Sequence, residues 1–110
     1  MKVYIAGPMT GYPDWNYRAF FDAADQMRAA GYEPINPARA EGRAGCKSWL
    51  DFMRAALRDL AEADGVALLD GWGNSRGAAA EARIAQDLGS RSALLGDWLT
   101  TTQATDESEK

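Results

Sequence analysis

The 110-residue chain contains no histidine and a single cysteine, Cys46. Without histidine there is no Ser-His-Asp triad, and zinc sites built on histidine are excluded. Acid–base or nucleophilic chemistry must therefore come from carboxylates, tyrosines, lysines or that one thiol. A lone cysteine also excludes an internal disulfide, which suits a reducing compartment, so we predict a cytoplasmic protein.

An excess of positive charge and a long apolar run are also missing. The net charge of −4 and the pI near 4.7 argue against binding to a nucleic acid polymer, which needs a basic face, although a small anion can bind locally. The run VYIAGP after Lys2 is too short and too quickly broken for a signal peptide, and no membrane span is expected. We predict one domain over residues 1–99 and a disordered acidic tail over 100–110.

Apolar runs alternate with helical patterns along the chain, which predicts an α/β fold. Predicted strands cover residues 2–6, 32–35, 66–69 and 92–95, and predicted helices cover residues 16–30, 48–63 and 75–88. Asp14 or Asn16 is expected to cap the first helix. Because hairpin signals are absent, the strands should be parallel and joined by right-handed crossovers. The pattern predicts a three-layer flavodoxin/Rossmann-like fold with a four- to five-stranded parallel sheet.

Two segments carry further expectations. Pro34 indicates that the second strand lies at an edge of the sheet, where a missing N–H costs little. Residues 36–47 are expected to form a mobile basic loop, which either closes over a phosphate or is simply solvated. The second helix has one apolar stripe that we expect to be core; its members are Trp49, Phe52, Met53, Ala56, Leu57, Leu60 and Ala61.

The loops after the first and third strands are the expected ligand site. The first, GPMTGYPDWN, has exposed backbone N–H groups but lacks the P-loop ending and the GxGxxG fingerprint. The second leads into a helix at Ser75, an N-cap residue whose helix start attracts anions, with Gly77 allowing close approach and Glu81 about a turn and a half further on. Parallel sheets bind ligands at the carboxyl ends of their strands, so both loops should face one crevice.

These residues resemble a known family. YIAGPMTG near the start, the pair AD before an apolar strand, and the pattern W-x-x-S-x-G-A-x-x-E-x-x-x-A from Trp72 to Ala85 are similar to nucleoside 2-deoxyribosyltransferases and the related deoxynucleoside 5′-monophosphate N-glycosidases. The similarity covers roughly residues 2–95 and points to a compact branch common in phages and bacteria. Such enzymes act in nucleotide metabolism, on small molecules and without a cofactor.

The resemblance implies a covalent mechanism through Glu81. In the family, this glutamate attacks the anomeric carbon and displaces the base, and water or a second base then resolves the 2-deoxyribosyl enzyme. The family's second catalytic aspartate is replaced here by Ala56, so that Asp59 substitutes, or Asp70 does, or the proton donor is missing. The implied substrate-binding residues are Gly7, Pro8, Met9, Thr10, Gly11, Tyr12, Asn16, Tyr17, Trp72, Ser75, Arg76 and Gly77.

Several alternatives stay open. Tyr12, Trp15 and Tyr17 are candidates to stack on the base, with core packing as the competing role for Trp15. A nucleotide-binding module that senses or sequesters its ligand without turnover is the alternative to the enzyme. Family members pair through the helices beside the site, which implies a homodimer or higher homo-oligomer. Asp97 and Trp98 are the remaining candidates to complete a partner's site, and the large aromatics expected in part at a subunit contact are Trp49, Phe52, Trp72 and Trp98.

Overall fold

The computed structural model describes residues 1–39 and 45–100 of the chain. Its strands are β1 (Lys2–Ala6), β2 (Glu33–Ile35), β3 (Gly65–Leu68) and β4 (Arg91–Leu94). Its helices are α1 (Tyr17–Ala29), α2 (Trp49–Glu62), α3 (Arg76–Asp87) and α4 (Leu95–Thr100). Short 3-10 turns lie at Pro13–Asn16 and Trp72–Asn74. All predicted strands and helices are present, while α4 was not predicted.

The four strands form one parallel sheet in the order β2-β1-β3-β4, which confirms the predicted α/β class and strand direction. Strand β2 lies at an edge, as Pro34 predicted. After β1 the chain moves outward to β2 and later returns to the other side of β1 as β3. The carboxyl ends of β1 and β3 are therefore neighbours, with Ala6 paired to Leu68, and this is the switch point where such sheets bind ligands.

Helices cover both faces of the sheet, which confirms the three layers. Side chains alternate along the central strands, so that Tyr4 and Val66 face the layer that contains α2 and α3. Val3 and Ala67 face the opposite layer with α1 and α4. Each face therefore has its own apolar core, and a residue's position in its strand decides which core it joins.

Trp98 of α4 belongs to the core of the second layer. Its side chain is 0% exposed, its indole Nε1 donates to the Val66 carbonyl at 2.9 Å, and its ring meets Tyr32 edge-on at 5.4 Å between centroids. The backbone of Gly65 makes room for the ring, since a Cβ there would lie 2.6 Å from it. The expectation that Trp98 contributes to a subunit contact or a partner's site is therefore wrong.

The helix caps were predicted with mixed success. Ser48 and Ser75 cap α2 and α3 as expected, accepting from the N–H groups of Asp51 at 3.1 Å and Ala78 at 3.2 Å. Asn16 occupies the N-cap position of α1 but makes no capping bond, because its backbone is left-handed, with φ of 60°, and its side-chain amide donates to the Pro8 carbonyl at 3.0 Å. Asp14 does not cap α1 either, so neither predicted cap is correct.

The predicted basic loop and acidic tail fall partly or wholly outside the described residues. Residues 40–44 of the loop and 101–110 of the tail are not described, and Thr100 is the last residue of α4. Within the part of the chain that is described, no helix is both long and apolar enough to cross a membrane.

Candidate active site

A cleft of about 440 Å³ opens in the layer of α2 and α3, at the carboxyl end of β1. The loop after β1 supplies Gly7, Met9 and Thr10 to its lining, and the start of α3 supplies Ser75 and Gly77. The prediction that the two loops face one crevice is thus confirmed. The other predicted residues that line this cleft are Trp15, Tyr17, Asp59 and Glu81.

Glu81 is the buried carboxyl group of the cleft, with 7% of the residue exposed. It lies six residues after the Ser75 cap, about 9 Å along the α3 axis at 1.5 Å per residue. Its Oε2 accepts a hydrogen bond of 2.5 Å from the hydroxyl of Tyr4, which is itself buried on β1. Glu81 is thus held in the wall of a cleft, and it is not a solvated helix residue.

Burial raises the pKa of Glu81 from 4.5 to about 7, and the nearby charge of Asp59 adds to that rise. The hydrogen bond from Tyr4 opposes it, because it favours the ionised carboxylate. Burial and the negative charge of Glu81 hold the pKa of Tyr4 well above its ordinary value. At neutral pH, Tyr4 is therefore a hydrogen-bond donor, and Glu81 is poised between its neutral and ionised forms.

Of the two aspartates proposed to assist Glu81, the structure brings Asp59 into the same cleft. Its carboxylate is bound by both terminal nitrogens of Arg39, with Nη2 to Oδ1 at 3.1 Å and Nη1 to Oδ2 at 3.3 Å. Asp70 is exposed and lines a second cleft, on the side of α1 and α4. Among the described residues, no group of three histidine, cysteine, aspartate or glutamate side chains is placed to hold a metal ion.

The opening of the cleft is positively polarised. The starts of α2 and α3, at Ser48 and Ser75, line it, and Lys47 lines it as well. The guanidinium of Arg76 stacks 3.8 Å above the ring of Trp49, which also lines the cleft. Helix N-termini and cations favour anions, whereas Glu81 carries the negative charge further along α3. The cleft therefore suits a ligand that has an anionic group at one end.

The remaining predicted binding residues lie outside this cleft. Pro8 is buried, Gly11 is exposed, and Trp72 packs against the core beneath α3. Tyr12 and Asn16 line the second cleft with Asp70 and Asp97. Tyr12 is drawn there because its hydroxyl lies close over Gly71, where a Cβ would approach it to 2.9 Å.

The apolar stripe of α2 is only partly core. Met53, Ala56 and Leu60 are buried as predicted, but Trp49, Phe52 and Leu57 are 41%, 39% and 41% exposed, and Ala61 is exposed as well. The cleft opens beside the first half of α2, and Trp49 and Phe52 form part of its lining. The prediction that the whole stripe is core is wrong.

Sequence reasoning missed Tyr4 and Arg39, the two residues that hold the carboxylates. Tyr4 stands inside the YIAGP motif, where strand alternation places it two residues from Ala6 on the same face of the sheet. That pattern was a usable signal. Arg39 had no such signal, because it lies in an irregular loop.

The comparison with curated proteins gives no match. The model of a family described as a domain of unknown function, DUF4406, matches residues 1–92, which contain β1 to β3, the first two residues of β4 and every residue of the cleft. The chain therefore belongs to the DUF4406 family.

Proposed function

We propose that this protein is an enzyme that breaks the N-glycosidic bond of a 2′-deoxynucleoside or its 5′-monophosphate, with Glu81 as the nucleophile. The observation that carries the proposal is a buried carboxyl group, fixed by Tyr4, in the wall of a cleft whose mouth suits an anion. The resemblance of the YIAGPMTG and W-x-x-S-x-G-A-x-x-E segments to deoxyribosyltransferases and N-glycosidases supports the same chemistry.

The reaction proceeds in two displacements at the anomeric carbon. In the first, a Glu81 oxygen bonds to that carbon, and the electron pair of the C–N bond leaves with the base, which takes a proton from water in the cleft. In the second, water attacks the same carbon, the bond to Glu81 breaks, and the proton of the attacking water passes to the Asp59 carboxylate and from there to the hydroxide that the first displacement left, so that Asp59 is ionised again. If a second base attacks in place of water, the result is base exchange.

Tyr4 positions Glu81 for this attack. Its hydroxyl donates to Oε2, which limits rotation of the carboxylate and leaves Oε1 as the attacking oxygen. Because the pKa of Tyr4 is raised, the phenol stays protonated throughout the working pH range. A group that is fixed before substrate binds loses less entropy on reaching the transition state.

The anionic end of the substrate is assigned to the mouth of the cleft. A 5′-phosphate there would accept from Ser75, from the backbone N–H groups of Arg76 and Gly77, and from the loop 7–11. An exposed helix start contributes ~0.3–1 kcal/mol to anion binding, and up to ~2 kcal/mol when it is partly buried. This arrangement favours the monophosphate over the nucleoside.

We expect Ser75→Ala and Ser75→Asp to weaken binding of a deoxynucleoside monophosphate more than binding of the matching nucleoside. Ser75→Asp is the sharper variant, because aspartate still caps α3 while its charge repels a phosphate. Ser75→Ala loses the cap as well, at a cost of about 1 kcal/mol in stability. Calorimetry gives the Kd of each variant for the monophosphate and for the nucleoside. Equal losses of affinity for the two ligands would mean that the phosphate binds elsewhere.

A panel assay tests the function itself. The protein is incubated with the common deoxynucleosides and their 5′-monophosphates, with and without a second free base, and the products are separated by chromatography. Free base is the expected product in water, and a new nucleoside in the presence of a second base indicates transfer. Binding without any base release would contradict the enzyme and favour the nucleotide-binding module.

We also propose that the protein is a homodimer or higher homo-oligomer. Trp49, Leu50, Phe52 and Leu57 of α2 are all exposed, and a second copy of this helix is an apolar surface of matching character. Light scattering should give at least twice the monomer mass of 11.9 kDa. Leu57→Glu should shift the protein towards monomer, while Leu88→Glu, at an exposed leucine after α3, should not. A mass of one chain that persists at high concentration and with substrate would rule out the oligomer.

A further inference from the structure

The ion pair between Arg39 and Asp59 links the loop after β2 to the wall of the cleft. Arg39 grips both carboxylate oxygens, and its Nη1 also donates to the Asn36 carbonyl at 2.8 Å. Asn36 is buried, and its side-chain oxygen accepts from the N–H of Ala38 at 2.9 Å. The arginine is thus anchored on its own loop, and Asp59 has little freedom to turn away.

The surroundings of Glu81 show why the direction of Asp59 matters. From β1, Tyr4 contacts Glu81, and from α2, the charge of Asp59 acts on it. Strand β3 has no titratable side chain, and Arg91 of β4 stacks over Trp98 in the opposite layer. Lys47 and Tyr17 line the same cleft. Asp59 is therefore the anion that acts on Glu81 from a neighbouring helix.

We propose that Arg39 is a positioning residue that clamps Asp59 as an anion facing the cleft, and that through Asp59 it sets the pH range in which Glu81 is ionised. The inference rests on the proposed function only where it treats Glu81 as the nucleophile. Arg39 also keeps the Asp59 carboxylate directed into the cleft, where the proposed second displacement takes place.

Removing the clamp should release Asp59 from the cleft. Its side chain is partly exposed, and an unpaired carboxylate gains more from full hydration than from a low-dielectric site beside a second carboxyl group. Once Asp59 turns to water, Glu81 loses a neighbouring negative charge and ionises at lower pH. Arg39→Gln and Asp59→Asn should therefore have the same sign of effect.

The test is an NMR titration of the carboxyl carbon of Glu81 in protein labelled at glutamate, assigned with Glu81→Gln. The midpoint is expected near pH 7 in the native protein and lower by up to about one pH unit in both Arg39→Gln and Asp59→Asn. The double variant should shift no further than Asp59→Asn alone. Arg39→Lys, which keeps a charge but loses the two-point grip, should fall between. Arg58→Gln, at an exposed arginine beside Asp59 in sequence, is the matched control and should leave the midpoint unchanged.

Three results would overturn the inference. An unchanged midpoint in Arg39→Gln shows that the clamp is irrelevant, and a raised midpoint shows that Arg39 acts as a direct counter-charge. A further shift in the double variant shows that Arg39 acts independently of Asp59. The titration needs no turnover, so a protein without glycosidase activity can still show the expected shifts. Conversely, base release through Glu81 with no shift rejects the inference and leaves the proposed function standing.

Discussion

Glu81→Gln is expected to abolish base release, with a loss of at least about 10³-fold in single-turnover rate, because glutamine has the same shape but cannot form the glycosyl ester. Glutamine can still accept a hydrogen bond from Tyr4, so the cleft should keep its geometry. Release of free base from a deoxynucleotide, followed by chromatography, measures the effect. The matched control is Glu62→Gln, at an exposed glutamate that ends α2 and does not line the cleft.

Mass spectrometry of the quenched native reaction distinguishes a nucleophile from a residue that merely supports the site. A 2-deoxyribosyl adduct on the native protein, located on the peptide that contains Glu81, is the expected intermediate. The Glu81→Gln protein should bind substrate and carry no adduct. Normal turnover by Glu81→Gln would show that Glu81 is a structural carboxyl group, and the glycosidase proposal would fail.

The stability of the native protein should fall by about 3 kcal/mol as the pH rises from 4.5 to about 7, through Glu81 alone. Below pH 4.5, the carboxyl group is protonated in both the folded and the unfolded states. Between 4.5 and about 7, the unfolded chain releases the proton while the folded protein retains it, so the folded state binds more protons and loses stability with rising pH. Above that range, both states are ionised, and the penalty for the buried carboxylate stays constant.

Urea unfolding of the native and Glu81→Gln proteins between pH 4.5 and pH 8.5 measures the contribution of Glu81 to the pH dependence of stability. Other carboxyl groups titrate in the same range, but they do so in both proteins, and the difference between the two curves isolates Glu81. Glu81→Gln should become the more stable protein as the pH rises. A difference that does not vary with pH would mean that Glu81 is hydrated in solution, and the raised pKa would be rejected.

The burial of Glu81 both accounts for its proposed reactivity and lowers the stability of the folded protein. A carboxyl group with a pKa near 7 is available as a nucleophile in neutral solution, and its desolvation makes the ionised form more reactive than a hydrated one. That desolvation is also what destabilises the folded protein above pH 7. Glu81→Gln should therefore trade activity for stability, a pattern common at functional sites.

The secondary-structure elements and the outline of the site could be predicted from the sequence. Apolar periodicity is a local property of the sequence, and it located the four strands and α1 to α3. The starts of α2 and α3 were predictable from Ser48 and Ser75, because each serine caps its helix by a hydrogen bond to a residue only three positions away. Parallel strands place their carboxyl ends at one edge of the sheet. For that reason, the meeting of the loop after β1 with the start of α3 was also predictable.

Which side chains meet in the site could not be predicted from the sequence, because it depends on how the elements pack together. Tyr4 and Glu81 are 77 residues apart in sequence and Arg39 and Asp59 are 20 apart, and both contacts depend on strand register and on the rotation of helices about their axes. The same geometry buries Trp98 beneath Gly65, leaves half of the α2 stripe uncovered, and sends Asp70 to the other cleft. Hydrophobic patterns report which face of an element is apolar. They do not report which partner covers that face, because the partner is supplied by a distant part of the chain.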